Sequence, residues 1–397
     1  MIFRRFLPPE IRNAYSYDSL AAILAGIHLG LIVPFLAIVG RRLGVYPYFI
    51  ALIIAAPFLG NLMTYYWAHR AQIEGEKKFV VWGGFIARSL FFAMAFIVSP
   101  LAFTVVASLG LFFSTISRPA YVGVLSQIYP EQYLGRAMGF VLVGSSTAAM
   151  IAAYFGGKLL DVVGYRWIFP IGALFGVVSS LIFSKIEVKK RLYDEVPAKF
   201  RFGEILEILK RNIAFSKFER LYFIFGFLNL IAVPVYPLFL VDKLHITNFE
   251  AGKLVAVSSL MGIATVYIWG HLTDKYGAPK LMPWNILLLS LMPLIYAFAD
   301  RFWVLYLASL SYGSAFTGLE LLVAGSVISL SGGKDVSKYS AIHSTLLGVR
   351  GGIAPFLGIK LFHLLGFRMV FLLSFAGIFV GGFLLYLWSR EYKLTST

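Results

Sequence analysis

The chain has 397 residues, 59% of them hydrophobic and only 14% charged, and its mean hydropathy is +0.81. A soluble domain carries nearer a quarter charged residues, so lipid rather than water solvates most of this chain. With no cysteine there are no disulfides or thiolate metal sites, and the net charge of +16 fits basic loops at a membrane surface, not nucleic acid.

The opening MIFRRFLPPEIRNAYSY has a basic run and two prolines but no cleavable apolar core, so no signal peptide is expected. Twelve apolar stretches follow, and period-two alternation is absent, so the expected spans are helices. The first, 18–40, carries His28 between Gly26 and Gly30, then Pro34. After the second, 46–68, the chain reads AHRAQIEGEKK over 68–78. The third (79–99) contains Arg88 and the fourth (101–127) Arg118. The fifth and sixth cover 135–157 and 167–184.

The only long polar segment, 185–220, separates two halves, 1–184 and 221–397. Within it, Phe202, Ile205, Leu206, Leu209 and Ile213 recur at helical spacing, which predicts an amphipathic helix over 202–218 lying along the inner membrane surface. The seventh span, 221–240, holds Asn229, Pro234, Tyr236 and Pro237. The eighth, 251–270, ends in GHLTDKYGAPK over 270–280. The ninth is 281–299. Tyr312 and Glu320 lie in the tenth (302–330), Arg350 in the eleventh (340–359), and the twelfth is 367–388. His343 starts the eleventh.

With the N-terminus placed in the cytoplasm, cytoplasmic loops and tails carry about 23 of the 35 Lys and Arg residues and the opposite loops about 9. This bias puts both termini in the cytoplasm.

One offset, 202 residues, relates the halves. It lays His69 on His271, Gly75 on Gly277, Lys78 on Lys280, Gly164 on Gly366 and Arg166 on Arg368. It also pairs Trp67 with Trp269 and Trp82 with Trp284. Two six-helix bundles in parallel topology therefore descend from one unit, a pattern common in secondary transporters.

The segment 270–280 resembles the loop signature of the major facilitator superfamily, Gly-x-x-x-Asp-(Arg/Lys)-x-Gly-x-(Arg/Lys)-(Arg/Lys). Gly270, Asp274, Lys275, Gly277 and Lys280 match it, and Pro279 departs from it. In the N-terminal copy Gln72 replaces the aspartate and Ala68 the first glycine. The resemblance covers nearly the whole chain. It implies an all-α membrane protein of twelve helices in two pseudo-symmetric halves, with a substrate site between them. It also implies that 270–280 is a cytoplasmic gating motif. Gly270 would let two helices approach closely, Asp274 would sit near a helix N-terminus, and Gly277 would permit a tight turn.

Four charges fall inside spans: Arg88, Arg118, Glu320 and Arg350. Each lies about 14–16 Å deep, near the midplane of a bilayer core about 30 Å thick. At about 2.5–3.5 kcal/mol apiece they demand partners or a wet cavity. Glu320 pairs either with its repeat-mate Arg118 or with Arg350. His28, Asn229, Tyr236 and Tyr312 complete the candidate substrate and proton pathway, although a packed His28 bonded to backbone is the plainer reading.

No phosphate-binding loop, His-Glu-x-x-His motif, calcium loop or nucleophile elbow occurs, so neither an enzyme nor any cofactor or metal is expected. The expected function is proton-coupled export of small amphipathic molecules by a monomer in the cytoplasmic membrane. Its partners would be a small-molecule substrate, protons and the lipid bilayer, with no nucleic acid. Organic-anion or nutrient uptake is the alternative. A receptor or lipid scramblase on the same scaffold is the alternative of another class.

Overall fold

The computed structural model describes residues 7–188, 202–333 and 335–395. The described residues are helical, with turns and short irregular links and no strand. The first six spans are α1 (Pro9–Arg42), α2 (Pro47–Leu62 and Thr64–Glu74, bent by 51°), α3 (Glu76–Ala95), α4 (Pro100–Ile128), α5 (Glu131–Val163) and α6 (Tyr165–Phe183). The second six are α7 (Ile213–Lys243), α8 (Asn248–Tyr276), α9 (Ala278–Phe298), α10 (Phe302–Leu330), α11 (336–365) and α12 (367–395). α11 and α12 run on without a loop, separated only by the non-helical Gly366.

Two compact units emerge. One comprises Met1–Ala198 with Thr247–Ala256, the other Lys199–Ile246 with Val257–Thr397. The first turns of α8 thus group with the first unit. There the Asp161 carboxylate accepts from the Asn248 and Phe249 backbone N–H groups at 3.0 and 2.8 Å. An anion over the open N–H groups of a helix start is a favoured arrangement.

The 202-residue repeat is visible in the backbone. Gly75, Gly164, Gly277 and Gly366 have φ of 107°, 80°, 82° and 76°. Each is the single residue that ends one helix and starts the next, at two pairs of repeat-related positions. Glycine alone enters this region without a Cβ clash. Arg166 donates to the Ala95 carbonyl at the end of α3, while its mate Arg368 covers the Phe298 ring at the end of α9.

Proline and small residues shape the remaining helices. Pro34 lies in a 3-10 turn that interrupts α1, and Pro234 sits at the break in α7. α1 lies against α5 at Gly26 and Gly30, where any Cβ would meet the Ser145 and Ala149 carbonyls.

The surface helix differs from the expectation over 202–218. It covers Phe202–Arg211 only. Asn212 then caps a new helix, accepting from Phe215 N at 2.9 Å and donating to the Leu330 carbonyl at 2.8 Å. Capping geometry overrides the continuous periodicity, so Ile213 already belongs to α7. Part of the linker, 189–201, lies outside the described residues, as do the side chains of Phe202 and Ile205.

Candidate functional site

In the first unit a cavity of about 410 Å³ opens between α1, α3, α4, α5 and α6. Its wall is largely apolar, with Ala21, Leu125, Val141 and Phe183 among the lining residues, and it carries three charges: Asp18, Arg88 and Arg118. α4 breaks after Phe113 and restarts at Ser117, so Ser117 and Arg118 form the first turn of a new helical segment at the cavity wall. A half-helix N-terminus at such a place adds a positive dipole end to the two arginines.

Asp18 is 1% exposed. The Tyr121 and Tyr129 hydroxyls donate to its two carboxylate oxygens at 2.9 and 2.8 Å. Two phenols replace the water that a buried carboxylate needs. Arg88 lines the same cavity and donates to the Gly176 carbonyl at 2.9 Å and the Ser180 hydroxyl at 2.8 Å. Gly176 is needed there, because a Cβ would lie 2.8 Å from both Arg88 Cδ and His28 Nδ1. His28 is buried and shares a 2.9 Å hydrogen bond with the Gly172 carbonyl. It packs edge-on to Phe91 and is not part of the cavity lining.

In the second unit Arg350 is 4% exposed, with its guanidinium 4.6 Å from the Tyr222 ring centroid. It donates to the Tyr222 carbonyl at 2.7 Å. The absence of a side chain at Gly226 makes room for the guanidinium. Tyr222 is within electrostatic reach of Arg350, Glu219 and Glu320. Glu320 is exposed on α10 and also acts on Tyr312, whose ring stacks on Phe316. Asn229 is half-buried on α7. Tyr236 stacks on Phe371 and meets Tyr296 edge-on, and its buried hydroxyl has no hydrogen-bond partner among the described residues. The structure thus gathers Arg88 and Arg118 at one cavity, and Arg350, Tyr222 and Glu320 in one electrostatic cluster. Tyr236 stands in a separate aromatic group.

The loop 270–280 is tighter than its charge pattern foretells. α8 runs to Tyr276, Gly277 alone makes the turn, and α9 starts with Pro279 in its first turn. Lys275 lies 5.1 Å from the Tyr276 ring centroid, and Lys280 lines a groove with Trp284, Tyr386 and Arg390. Two expectations for this loop need correction. A Cβ on Gly270 would meet open space, so close helix approach is not its role. The close approaches nearby are made from α10, by Gly318 against Asn285 of α9 and Trp269 of α8 and by Gly325 against Ala278 of α9. Asp274 is exposed and makes no hydrogen bond or ion pair among the described residues, so no helix N-terminus receives it there.

The profile of the Major Facilitator Superfamily matches residues 19–218 and 220–396, nearly the whole chain. The chain belongs to the major facilitator superfamily. Among its relatives is the uncharacterized MFS-type transporter YuxJ of Bacillus subtilis, 26% identical over 65% of this chain and 67% of that protein. The multidrug resistance protein MdtG of Dickeya zeae is 21% identical over 94% of this chain and 93% of its own. A bacterial homologue of the human lysosomal transporter Spinster superposes with a TM-score of 0.68 at 15% identity, covering 97% of this chain and 98% of that one. At that identity the likeness speaks for the fold alone. The protein is a multi-pass membrane transporter of this superfamily.

Three acidic residues escape the sequence reading. Asp18 and Glu219 sit at or just before the first residues of the apolar stretches 18–40 and 221–240, where falling hydropathy sets the boundary. The helices start earlier, at Pro9 and Ile213, and draw both acids inside. Their spacing, one residue short of the repeat offset, was the available signal. Glu76 is the third. It is buried at the start of α3, bonded to Gln127 and set against Gly123. The N-terminal loop that lacks an aspartate at Gln72 therefore carries a buried carboxylate four residues later.

Proposed function

We propose that this superfamily member exports small amphipathic solutes from the cytoplasm in exchange for protons. Its termini would be cytoplasmic and it would act as a monomer. The cavity of the first unit carries the reading: about 410 Å³ of mostly apolar wall with Asp18, Arg88 and Arg118 set into it. Apolar walls take the body of an amphipathic solute, and a few fixed polar groups orient its head. The multidrug name of the relative MdtG lends support from sequence. Asp18 and Glu320 are the carboxylates through which proton and substrate would compete, and alternating access would rock one six-helix half against the other.

Reconstitution into proteoliposomes with an imposed pH gradient tests this reading. Lipophilic dyes and drugs should move against their own gradient, and an uncoupler should stop them. Flux that ignores the pH gradient, or none for any amphipathic probe, overturns it.

Organic-anion transport is the second reading. Arg88, Arg118 and the start of the second α4 segment give the cavity two cations and a dipole end against one carboxylate. Counterflow with aromatic carboxylates in place of cationic dyes separates the two.

A further inference from the structure

The second unit buries another pair of titratable groups, which the transport reading does not use. Glu219 on α7 is 2% exposed. His343 on α11, also buried, brings Nδ1 to 3.0 and 3.3 Å from its two carboxylate oxygens. The two side chains come from helices 124 residues apart in sequence and meet only in the fold.

A carboxylate beside an imidazole offers one proton position that can fill or empty. With a neutral imidazole donating from Nδ1, the pair carries one negative charge. After one further proton arrives it is an imidazolium facing a carboxylate, with no net charge. No bond other than that to the proton forms or breaks.

Glu219 lines a largely apolar cavity of about 420 Å³ with Ser216, Arg220 and Leu346, while its side chain stays buried. On α7 the flanking charges are Arg220, exposed at that cavity, and Lys217, which lies 4.0 Å from Glu391 of α12. The helix Phe202–Arg211 brings Lys210 and Arg211 to its end, next to the start of α7. α9 gives the apolar Ala278, Met282, Ile286 and Leu289 to the shared core. On the inner side the Tyr222 ring lies 5.1 Å from His343, with the Arg350 guanidinium on the same tyrosine. Glu320 of α10 reaches Tyr222 electrostatically.

We propose that Glu219 and His343 form a proton-binding site in the C-terminal half, sensed at Arg350 through Tyr222. When the pair fills, its negative charge disappears from beside Tyr222, on whose ring and carbonyl Arg350 rests. The inference rests on the proton-coupled reading only for the use made of the proton, not for its binding.

The test is a pH titration of the purified full chain. Carboxyl stretching bands are followed by infrared difference spectroscopy and imidazole nitrogens by ¹⁵N NMR. Wild type should show a titrating step that Glu219→Gln removes, His343→Asn displaces and Glu320→Gln leaves in place. Should Glu219→Gln fail to fold, the wild-type His343 signal, identified by its loss in His343→Asn, decides alone. A His343 signal that keeps one protonation state wherever the protein stays folded overturns the proposal and leaves a fixed structural pair. A titrating step found in protein that moves no solute against a pH gradient upholds the site and fails the transport reading, so the two are told apart.

Discussion

Tyr129, the extended residue that follows the last turn of α4, donates a 2.8 Å hydrogen bond to the buried carboxylate of Asp18 on α1. Tyr121, two turns earlier, holds the other oxygen. The acid is thereby clamped between a phenol of α4 and one just past its C-terminal end, in a cavity that also carries Arg88 and Arg118. Tyr129→Phe should lower stability by about 1–2 kcal/mol, because it leaves a buried oxygen short of a donor. Asp18→Asn keeps an acceptor for the phenols, so it should retain most of that stability while abolishing pH-driven flux. Thermal unfolding in detergent and flux in liposomes measure the two effects separately. Normal flux in Asp18→Asn would remove the residue from the proton pathway.

The glycines separate packing from turn geometry. Gly176→Ala puts a methyl group 2.8 Å from Arg88 and His28 and should cost about 1–3 kcal/mol through overpacking. Gly277→Ala should cost a similar amount for a different reason, since the backbone at φ 82° disfavours any side chain while the space there is open. Gly270→Ala should leave stability unchanged within about 0.5 kcal/mol, as no atom stands near its Cβ. A large loss in Gly270→Ala would show that this glycine does serve close packing.

These contrasts show what was legible in the sequence. The all-helical membrane fold follows from hydropathy. The offset even locates the four glycines that alone link consecutive helices, since a one-residue link at positive φ favours glycine. Arg350 was legible as a buried charge and Arg88 as a half-buried one that needs partners, since arginine inside an apolar run is costly. Asp18 and Glu219 were not, because an acid near the edge of an apolar run reads as the edge itself. His343 looked like a helix-end histidine until the fold brought Glu219 beside it. The packing role of Gly270 was misread because a motif records which residue is present and not the face it occupies.

The exposed Asp274 gives a prediction that is independent of folding. Asp274→Asn should cut transport several-fold while leaving membrane insertion and thermal stability near wild type, because the carboxylate supports nothing among the described residues. Gln72→Asn should have little effect, as that loop has no aspartate and its buried acid is Glu76. Equal transport rates for Asp274→Asn and wild type would show the loop to be a simple charged turn.

Arg118 and Glu320 are mates in the repeat, and we expect them to be energetically coupled. Neutralising either alone should harm stability or flux more than neutralising both, because one uncompensated charge is worse than none. A double-mutant cycle should give an interaction of at least about 0.5 kcal/mol. A value near zero, together with a clear value for Glu320 and Arg350, would assign Glu320 to the cluster around Tyr222 instead.

Proton coupling through Glu320 makes the most demanding prediction. Glu320 stands within reach of Tyr222 and Tyr312, and Tyr222 carries Arg350 on its ring and carbonyl. Low polarity favours the protonated acid and a nearby arginine favours the carboxylate, so the occupant of Glu320 depends on which influence is stronger in each state of the cycle. Export driven by protons needs that balance to change between the two ends of the cycle. Glu320→Gln removes the titration but keeps a polar side chain of similar size. It should abolish flux driven by a pH gradient, while exchange of substrate for substrate, which needs no net proton movement, continues at a comparable rate. A purely structural role predicts that both fall together and that thermal stability falls with them. Measuring both activities on one liposome preparation distinguishes these cases. If pH-driven flux in Glu320→Gln matches wild type, the coupling proton binds elsewhere, and Asp18 and the Glu219–His343 pair are the positions left to carry it.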